Sequence, residues 1–258
     1  MKMVACILRK REEDMKIAMI YKWARDPEAA TVRTDGSVDW RGAKMVAGED
    51  DPAALDAAKT IAEGFGAEIV GVTIGDGDAS WILARGISET LSVADVPNLM
   101  DQANTGKILS SAIQKIDGID VVVIGDAHAY SAVPVSLAGA LGWPAVMGLS
   151  SAKVEGDKII ATRHVGSSEY TLTLNTPVVL GFVAESEEKK TPGMKELLMA
   201  RKRPIKTISI SDLTFKVDER IESRGSRAPE MKYAHLFEGE PLNAATQLID
   251  TLRKEGVL

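Results

Sequence analysis

The chain has 258 residues, 45% of them hydrophobic, which is enough to bury a large core. Its formal net charge of -6 argues against a nucleic-acid partner, because phosphate binding needs a basic face. One cysteine, Cys6, excludes an internal disulfide, and the three histidines lack metal-ligand spacing, so a reducing, cytoplasmic setting fits best. No apolar stretch approaches the roughly 20 residues that cross a bilayer, so we expect no membrane span.

In the first two-thirds of the chain, apolar runs alternate with amphipathic segments. Residues 1–14 are predicted to form an N-terminal extension, since their charges follow the apolar run instead of preceding it as in a secretion signal. Buried parallel strands are predicted at residues 15–21, 68–74 and 120–125. This alternation predicts an α/β fold with an open, mostly parallel sheet that is covered on both faces.

Four helices are predicted in the same part of the chain. The first has Asp51 as its N-cap and Pro52 at its first helical position. A second starts at Asp78, a third covers residues 105–115, and a fourth follows Ser131. These helices are expected to cover the two faces of the sheet.

The pattern changes after Ala152. A β-meander is predicted there, with turns at residues 155–157 and 166–168. A short helix is predicted over residues 194–203, and Pro204 ends it because proline cannot continue a helix.

Three parts of the chain follow from these patterns. They are the extension over residues 1–14, an α/β domain over residues 15–205, and a C-terminal arm over residues 206–258. The arm is polar until a last helix over residues 242–258, so it has little core of its own. We expect the arm and its helix to contact a partner subunit.

The common catalytic signatures GxGxxG, GxxxxGK[ST], GxSxG, HExxH and CxxC do not occur in the sequence. His128 and Tyr130 lie in one predicted loop, but no base and nucleophile can be paired from them. The sequence therefore assigns no catalytic residue and no metal ligand.

In an open parallel sheet, ligands bind at the carboxyl ends of the strands, where helix N-termini offer free N–H groups. Residues 131–133 form the best phosphate candidate, because no carboxylate lies within that turn. Ser131 can equally be a plain helix cap. Asp51, Asp76, Asp78 and Asp126 are predicted to ring the same crevice, either as contacts to ribose or adenine or as ordinary caps and turns.

An apolar cluster on the predicted short helix is a second candidate site. Met194, Leu197 and Leu198 lie beside the basic run at residues 201–203. The cluster is either ordinary core next to a solvated helix end or a protein-docking surface.

Several segments, in this order, resemble the beta (small) subunit of electron transfer flavoproteins, and the similarity runs from Met15 to the C-terminus. The first strand is followed by Lys22 and Asp26, as in the family. Asp51-Pro52 before an Ala-rich helix resembles the family's Asn-Pro helix start. Similar segments further on are VEGDKIIATRHVGSSEYTLTLNTPVVLGF, LLMARKRPIKTISISDL, which resembles IMxAxKKPI, and the ending EGEPLNAATQLIDTLRKEGVL.

The resemblance implies an adenine-nucleotide-binding, Rossmann-like α/β fold and a larger alpha subunit that holds the redox FAD. The C-terminal arm would embrace that subunit, and the strand-end crevice would bind AMP or, in bifurcating members, a second FAD. A recognition loop at residues 187–198 would anchor a dehydrogenase through Met194, with Leu197 and Leu198. By position, the nucleotide contacts would be Ile20, Asp51, Pro52, Ile74, Gly75, Gly125, Asp126, Ser131, Ala132, Val133 and Ser136.

Two segments depart from the family pattern. The loop GDAHAYSAVPVSLAG is shorter and lacks the acidic pair and the glutamine, which argues against AMP or a second FAD in this chain. EEKKT stands where the family has NxPRY, so the redox partner can be a dehydrogenase or reductase of another kind.

The expected function is therefore electron transfer as a beta subunit, through FAD held mainly by the alpha subunit, with no catalytic residue in this chain. Two alternatives remain open. A stand-alone adenine-nucleotide-binding regulatory protein would need a glycine-rich phosphate loop, and an enzyme of adenylyl chemistry would need basic phosphate ligands.

Overall fold

The structure is a computed structural model that describes residues 15–75, 80–97, 101–126, 130–184, 193–200, 202–203, 205–214 and 234–258. The predictions for residues 1–14, for Asp76, Asp78, His128 and Pro204, and for most of the C-terminal arm before residue 234 fall outside these ranges.

The elements alternate along the first part of the chain and then turn to consecutive strands. The strands are β1 (Lys16–Ile20), β2 (Trp23–Arg25), β3 (Thr31–Val32), β4 (Val38–Asp39), β5 (Met45–Ala47), β6 (Glu68–Ile74), β7 (Glu89–Ala94), β8 (Ile119–Gly125), β9 (Ala145–Glu155), β10 (Lys158–Val165), β11 (Ser168–Leu174), β12 (Val178–Phe182) and β13 (Lys206–Ser209). The helices are α1 (Asp51–Phe65), α2 (Ser80–Leu83), α3 (Gln102–Ile113), α4 (Ala132–Leu141), α5 (Met194–Ala200) and α6 (Pro241–Lys254), with a 3-10 turn at Ile210–Asp212.

Nine of these strands form one sheet in the order β11-β10-β9-β12-β8-β1-β6-β7-β13. Within this sheet the pairs from β9 through β12, β8, β1, β6 and β7 to β13 are parallel, and the pairs β9–β10 and β10–β11 are antiparallel. The predicted Rossmann-like α/β fold with an open, mostly parallel sheet is confirmed.

The central strand β1 divides the core into two layers. Ile17 and Met19 belong to the hydrophobic cluster that contains α1, whereas Ala18 and Ile20 belong to the cluster that contains α3 and α4. Successive side chains of a strand point to opposite faces, so this alternation buries both sides of the sheet.

Helix α1 corrects one prediction. Asp50 occupies the N-cap position and Asp51 is already the first helical residue, so Asp51 is not the N-cap. The helix ends at Gly66, which adopts a left-handed conformation with φ 65°. The helix packs close to the sheet, since a Cβ on Gly64 would overlap the side chain of Val154 in β9.

The other helices are mostly confirmed, with shifted limits. Helix α3 begins at Gln102, earlier than predicted, because the Asp101 carboxylate caps it by accepting the N–H of Ala103 at 2.7 Å. In the described residues α2 is a single turn, and the chain then turns at Gly86, with φ 100°, into β7, a strand that the sequence did not predict.

The β-meander is confirmed only in part. Its two turns lie at the predicted positions, but β9 begins at Ala145, seven residues before the predicted change of pattern. Strand β12 pairs in parallel with β8 and β9 inside the sheet, and all five of its residues are buried. Its uninterrupted apolar sequence VVLGF suits a strand that is covered on both faces.

The chain divides into two compact units, residues 1–30 with 40–224 and residues 31–39 with 225–258. The nine-stranded sheet belongs to the first unit. The described parts of the second unit are the β3–β4 pair and the C-terminal segment with α6. None of the described helices is long and apolar enough to cross a membrane.

Candidate functional site

The carboxyl ends of three neighbouring strands lie side by side at the edge where the crevice is predicted. Strand β1 lies between β6 and β8, with Ile20 opposite both Val72 and Ile124. Helix α1 begins beside the end of β8, because a Cβ on Gly125 would lie 2.9 Å from Oδ1 of Asp51. Glycine at position 125 is therefore what allows this close approach. From β1 the chain passes to β6 and β7 on one side, and from β7 it crosses to β8 on the other side of β1, which makes this edge a topological switch point.

Asp51 is buried at this edge, with 4% of its surface exposed. Its Oδ2 accepts the backbone N–H groups of Lys22, at 2.8 Å, and Gly48, at 2.7 Å. Burial raises the pKa of this carboxyl to about 7, although the two N–H groups and the Lys22 charge act in the opposite direction. The carboxyl that the sequence predicted as a ligand contact thus holds two chain segments together.

Two further carboxylates at these strand ends also accept backbone N–H groups. Asp50 Oδ1 accepts the N–H of Ala184 at 2.8 Å, just after β12. Asp126 Oδ2 accepts the N–H of Gly148 at 2.8 Å, within β9. Of the predicted acidic ring, the two described members, Asp51 and Asp126, both serve the backbone.

The start of α4 was the predicted phosphate site. Ser131 occupies the N-cap position but makes no side-chain capping bond, and the N–H of Ala132 donates to Oε1 of Gln102 at 2.9 Å. Val133 is buried. Ser136 lies against Gly106 of α3, because a Cβ added to Gly106 would be 2.6 Å from the Cβ of Ser136. No pattern in the sequence indicated the role of Gln102, which depends on the packing of α3 against α4.

The remaining predicted nucleotide contacts lie at the ends of β1 and β6 or on α1. Ile20 is 4% exposed and belongs to the core, whereas Ile74 and Pro52 are half-buried. Gly75 donates its N–H to the carbonyl of Val93 at 2.8 Å, and its φ of 110° favours glycine.

One contact that sequence reasoning missed joins two loops at this end of the sheet. The Lys22 ammonium lies 3.8 Å from the centroid of the Tyr130 ring, a cation–π geometry. Because its backbone N–H also binds Asp51, Lys22 connects the end of β1 both to α1 and to the segment before α4. The described residues contain no cluster of His, Cys, Asp or Glu side chains that could hold a metal ion.

The predicted recognition residues lie on α5. Met194 and Leu198 are 74% and 54% exposed, whereas Leu197 is half-buried against the core and Ala200 is fully covered. Arg203, which follows the helix, donates from one guanidinium nitrogen to the carbonyls of Leu83 and Ile87, each at 3.0 Å. The helix thus has an anchored face and an exposed apolar face.

The mostly parallel sheet, covered on both faces, defines a Rossmann-like α/β protein. A family model described as the electron transfer flavoprotein domain matches residues 38–213. The chain is also 25% identical over 182 residues to a probable electron transfer flavoprotein subunit beta of Schizosaccharomyces pombe, an alignment that covers 68% of each protein.

The chain belongs to the electron transfer flavoprotein family, and the resemblance to its beta subunits is confirmed. It is therefore a subunit of an electron-transport flavoprotein, whose function involves a flavin.

Proposed function

We propose that the chain is the beta subunit of a heterodimer that passes electrons between a dehydrogenase or reductase and an acceptor, through FAD held mainly by an alpha subunit. The family match carries this proposal. The FAD supplies the redox chemistry, and this chain shapes its surroundings and offers docking surfaces, with no proton-transfer residue of its own. A cytoplasmic location belongs to the proposal, because a single cysteine fits a reducing compartment.

The apolar face of α6 supports assembly with a second subunit. Leu242, Leu248 and Ile249 are 83%, 44% and 40% exposed, although they recur at helical spacing. A 14-residue helix gains little stability by itself, so an uncovered apolar stripe on it favours contact with another protein. The alpha subunit is the partner that we assign to this face.

The exposed face of α5 supports docking of the redox partner. Met194, Leu198 and Met199 are all more than half exposed, while Leu197 and Ala200 anchor the opposite side. Exposed methionine and leucine side chains make an adaptable apolar surface, which suits a transient complex. The identity of the donor as a dehydrogenase or reductase is part of the proposal.

The crevice of this chain is proposed to hold neither AMP nor a second FAD. A phosphate group there would need free N–H groups or cations. The N–H of Ala132 is donated to Gln102, and the Lys22 ammonium lies against Tyr130, so both of these groups already have partners within the chain. This arrangement agrees with the shortened loop before α4.

The deciding experiment is to co-express the chain with the adjacent alpha-subunit reading frame and to quantify the flavin and AMP that the purified complex releases on denaturation. We expect one FAD and no AMP per heterodimer. Two FAD, or one AMP, would overturn the proposal for the crevice. A flavin-free chain that purifies alone with a bound nucleotide would instead support a stand-alone adenine-nucleotide-binding regulatory protein.

A matched pair of variants on α6 tests the assembly face. Leu248→Asp introduces a charge into the apolar stripe, whereas Gln247→Asp introduces the same charge on the polar side of the same helical turn. The first variant should fail to co-purify with the alpha subunit, and the second should assemble as the wild type does. Equal assembly of both variants would contradict the role of α6.

A further inference from the structure

A single carboxyl group joins the two ends of a long segment that leaves the sheet. We call the segment between residues 22 and 48 the excursion, and its two ends, at Lys22 and Gly48, the neck. The chain leaves β1 after Tyr21, and β2 then pairs with β5 in antiparallel fashion, with Trp23 opposite Ala47. Asp51 Oδ2 accepts the N–H of Lys22 on the outgoing chain and the N–H of Gly48 on the returning chain. One oxygen atom therefore binds both ends of the segment between residues 22 and 48.

The surroundings of this carboxyl exclude water. A Cβ on either Gly48 or Gly125 would lie 2.9 Å from an Asp51 oxygen, so the backbone packs against it from two sides. The charged groups that act on Asp51 are Asp50, from α1, and Lys22, from the end of β1. The carboxylate of Asp126, at the end of β8, is bound instead to Gly148.

Opening the neck would bring Asp51 into water. In the closed state, burial raises its pKa from 3.8 to about 7, and the repulsion from Asp50 adds to this effect. In the open state the carboxyl would titrate near its ordinary value. Between these two pKa values the closed state binds more protons than the open state, so the closed state is favoured at low pH.

We propose that Asp51 is a pH-sensitive clasp on the excursion between residues 22 and 48, closed most firmly when its carboxyl is protonated and loosened when it ionises. Because Lys22 belongs to the neck, loosening also frees the residue whose ammonium faces Tyr130 at the crevice. The clasp rests on residues of this chain alone and holds whether or not the chain carries electrons.

Thermodynamic linkage gives the size of the effect. The opening equilibrium constant should rise as the pH increases toward 7 and stay level well above it. With a closed-state pKa of about 7, the rise between pH 6 and pH 8 is roughly tenfold.

Amide hydrogen exchange of the full-length chain at pH 6 and pH 8, corrected for intrinsic rates, measures this opening. The amides of Lys22 and Gly48 report on the neck, and the amides of β8 report on global unfolding. We expect the corrected opening constant at the neck to exceed that of β8 at both pH values and to rise roughly tenfold. The constant of β8 should rise by a similar factor, because global unfolding also exposes Asp51. An unchanged constant at the neck, or neck amides that open only as rarely as those of β8, would overturn the proposal.

Two variants separate Asp51 from its neighbours. Asp51→Asn retains an oxygen that can accept both N–H groups but cannot ionise, so its neck opening should be independent of pH. Asp56→Asn, on the exposed side of the same helix, should keep the wild-type rise. A tenfold rise that persists in Asp51→Asn would refute the clasp. If that variant does not fold, the wild-type profile and its β8 reference still decide the question.

Discussion

The close contact between α3 and α4 makes Gly106 a sensitive position. A Cβ there would lie 2.6 Å from Cβ of Ser136 and 2.7 Å from the backbone nitrogen of Leu137. Real Cβ atoms do not approach other atoms so closely, and a backbone nitrogen cannot rotate away as a side chain can. Gly106→Ala should therefore force α4 away from α3, together with the Ser131 end of α4.

The expected loss follows from two opposing effects. Overpacking a tight contact costs roughly 1–3 kcal/mol, and the involvement of backbone atoms places this case near the upper end. The higher helix propensity of alanine returns about 1 kcal/mol. The net loss is then about 2 kcal/mol, or a fall of about 4–8 °C in Tm for a chain of this size.

Thermal and urea unfolding of the full chain would measure this loss, and Gly139→Ala provides the control. Gly139 lies on α4 with open space where its Cβ would be, so the same substitution there should raise the stability by up to about 1 kcal/mol. If Gly106→Ala were as stable as Gly139→Ala, the close packing of α3 on α4 would be refuted.

Three more predictions concern side chains that bind the backbone. Because the pKa of Asp51 is raised in the folded state, this residue favours folding at low pH and loses that contribution as the pH rises through about 7. The free energy of unfolding of Asp51→Asn, measured in urea melts, should therefore rise relative to that of the wild type by about 3 kcal/mol from pH 5 to pH 8. A difference between the two proteins that stays constant with pH would contradict the burial argument. Asp126→Ala should lower the free energy of unfolding by about 1–3 kcal/mol, because it leaves the N–H of Gly148 unpaired, whereas Asp126→Asn should lose much less; equal losses would argue against this hydrogen bond. Arg203→Gln should speed hydrogen exchange of the α5 amides roughly tenfold relative to Lys202→Gln, because two charge-assisted bonds are lost, and equal exchange in both variants would exclude the anchor.

Sequence patterns predicted the parts of the fold where side-chain periodicity reflects burial. The strand at residues 68–74 has the predicted limits, and the helix predicted to begin at Asp51 buries one apolar face. Strand β7 was missed although Thr90 to Val93 alternate polar and apolar residues, which is the period of a strand. The alternation covers only four residues, and its polar members Thr90 and Ser92 are buried rather than facing water.

The candidate site was predictable only in location. Strand-end geometry pointed to Asp51, Gly125 and the start of α4, and the structure brings Asp51 and Gly125 into contact. The partners of these groups depend on residues far away in the chain, such as Gln102 for Ala132 and Gly148 for Asp126. Spacing along the chain carries no information about such pairs.

The acidic residues at the strand ends have a common physical explanation. Chain segments that leave a parallel sheet carry N–H groups outside the strand ladder, and a buried N–H without an acceptor is costly. Lys22, after β1, and Ala184, after β12, are such donors; Gly48 follows β5, and Gly148 lies at an irregularity within β9. Asp50, Asp51 and Asp126 supply the acceptors. A carboxylate that binds the backbone is also less available to repel an electron-rich ligand or partner, because its charge is partly balanced by the N–H dipoles. Acidic residues at this edge thus do not by themselves indicate a ligand. At Asp51, which binds the N–H groups of Lys22 and Gly48, a carboxylate in this role makes the fold sensitive to pH.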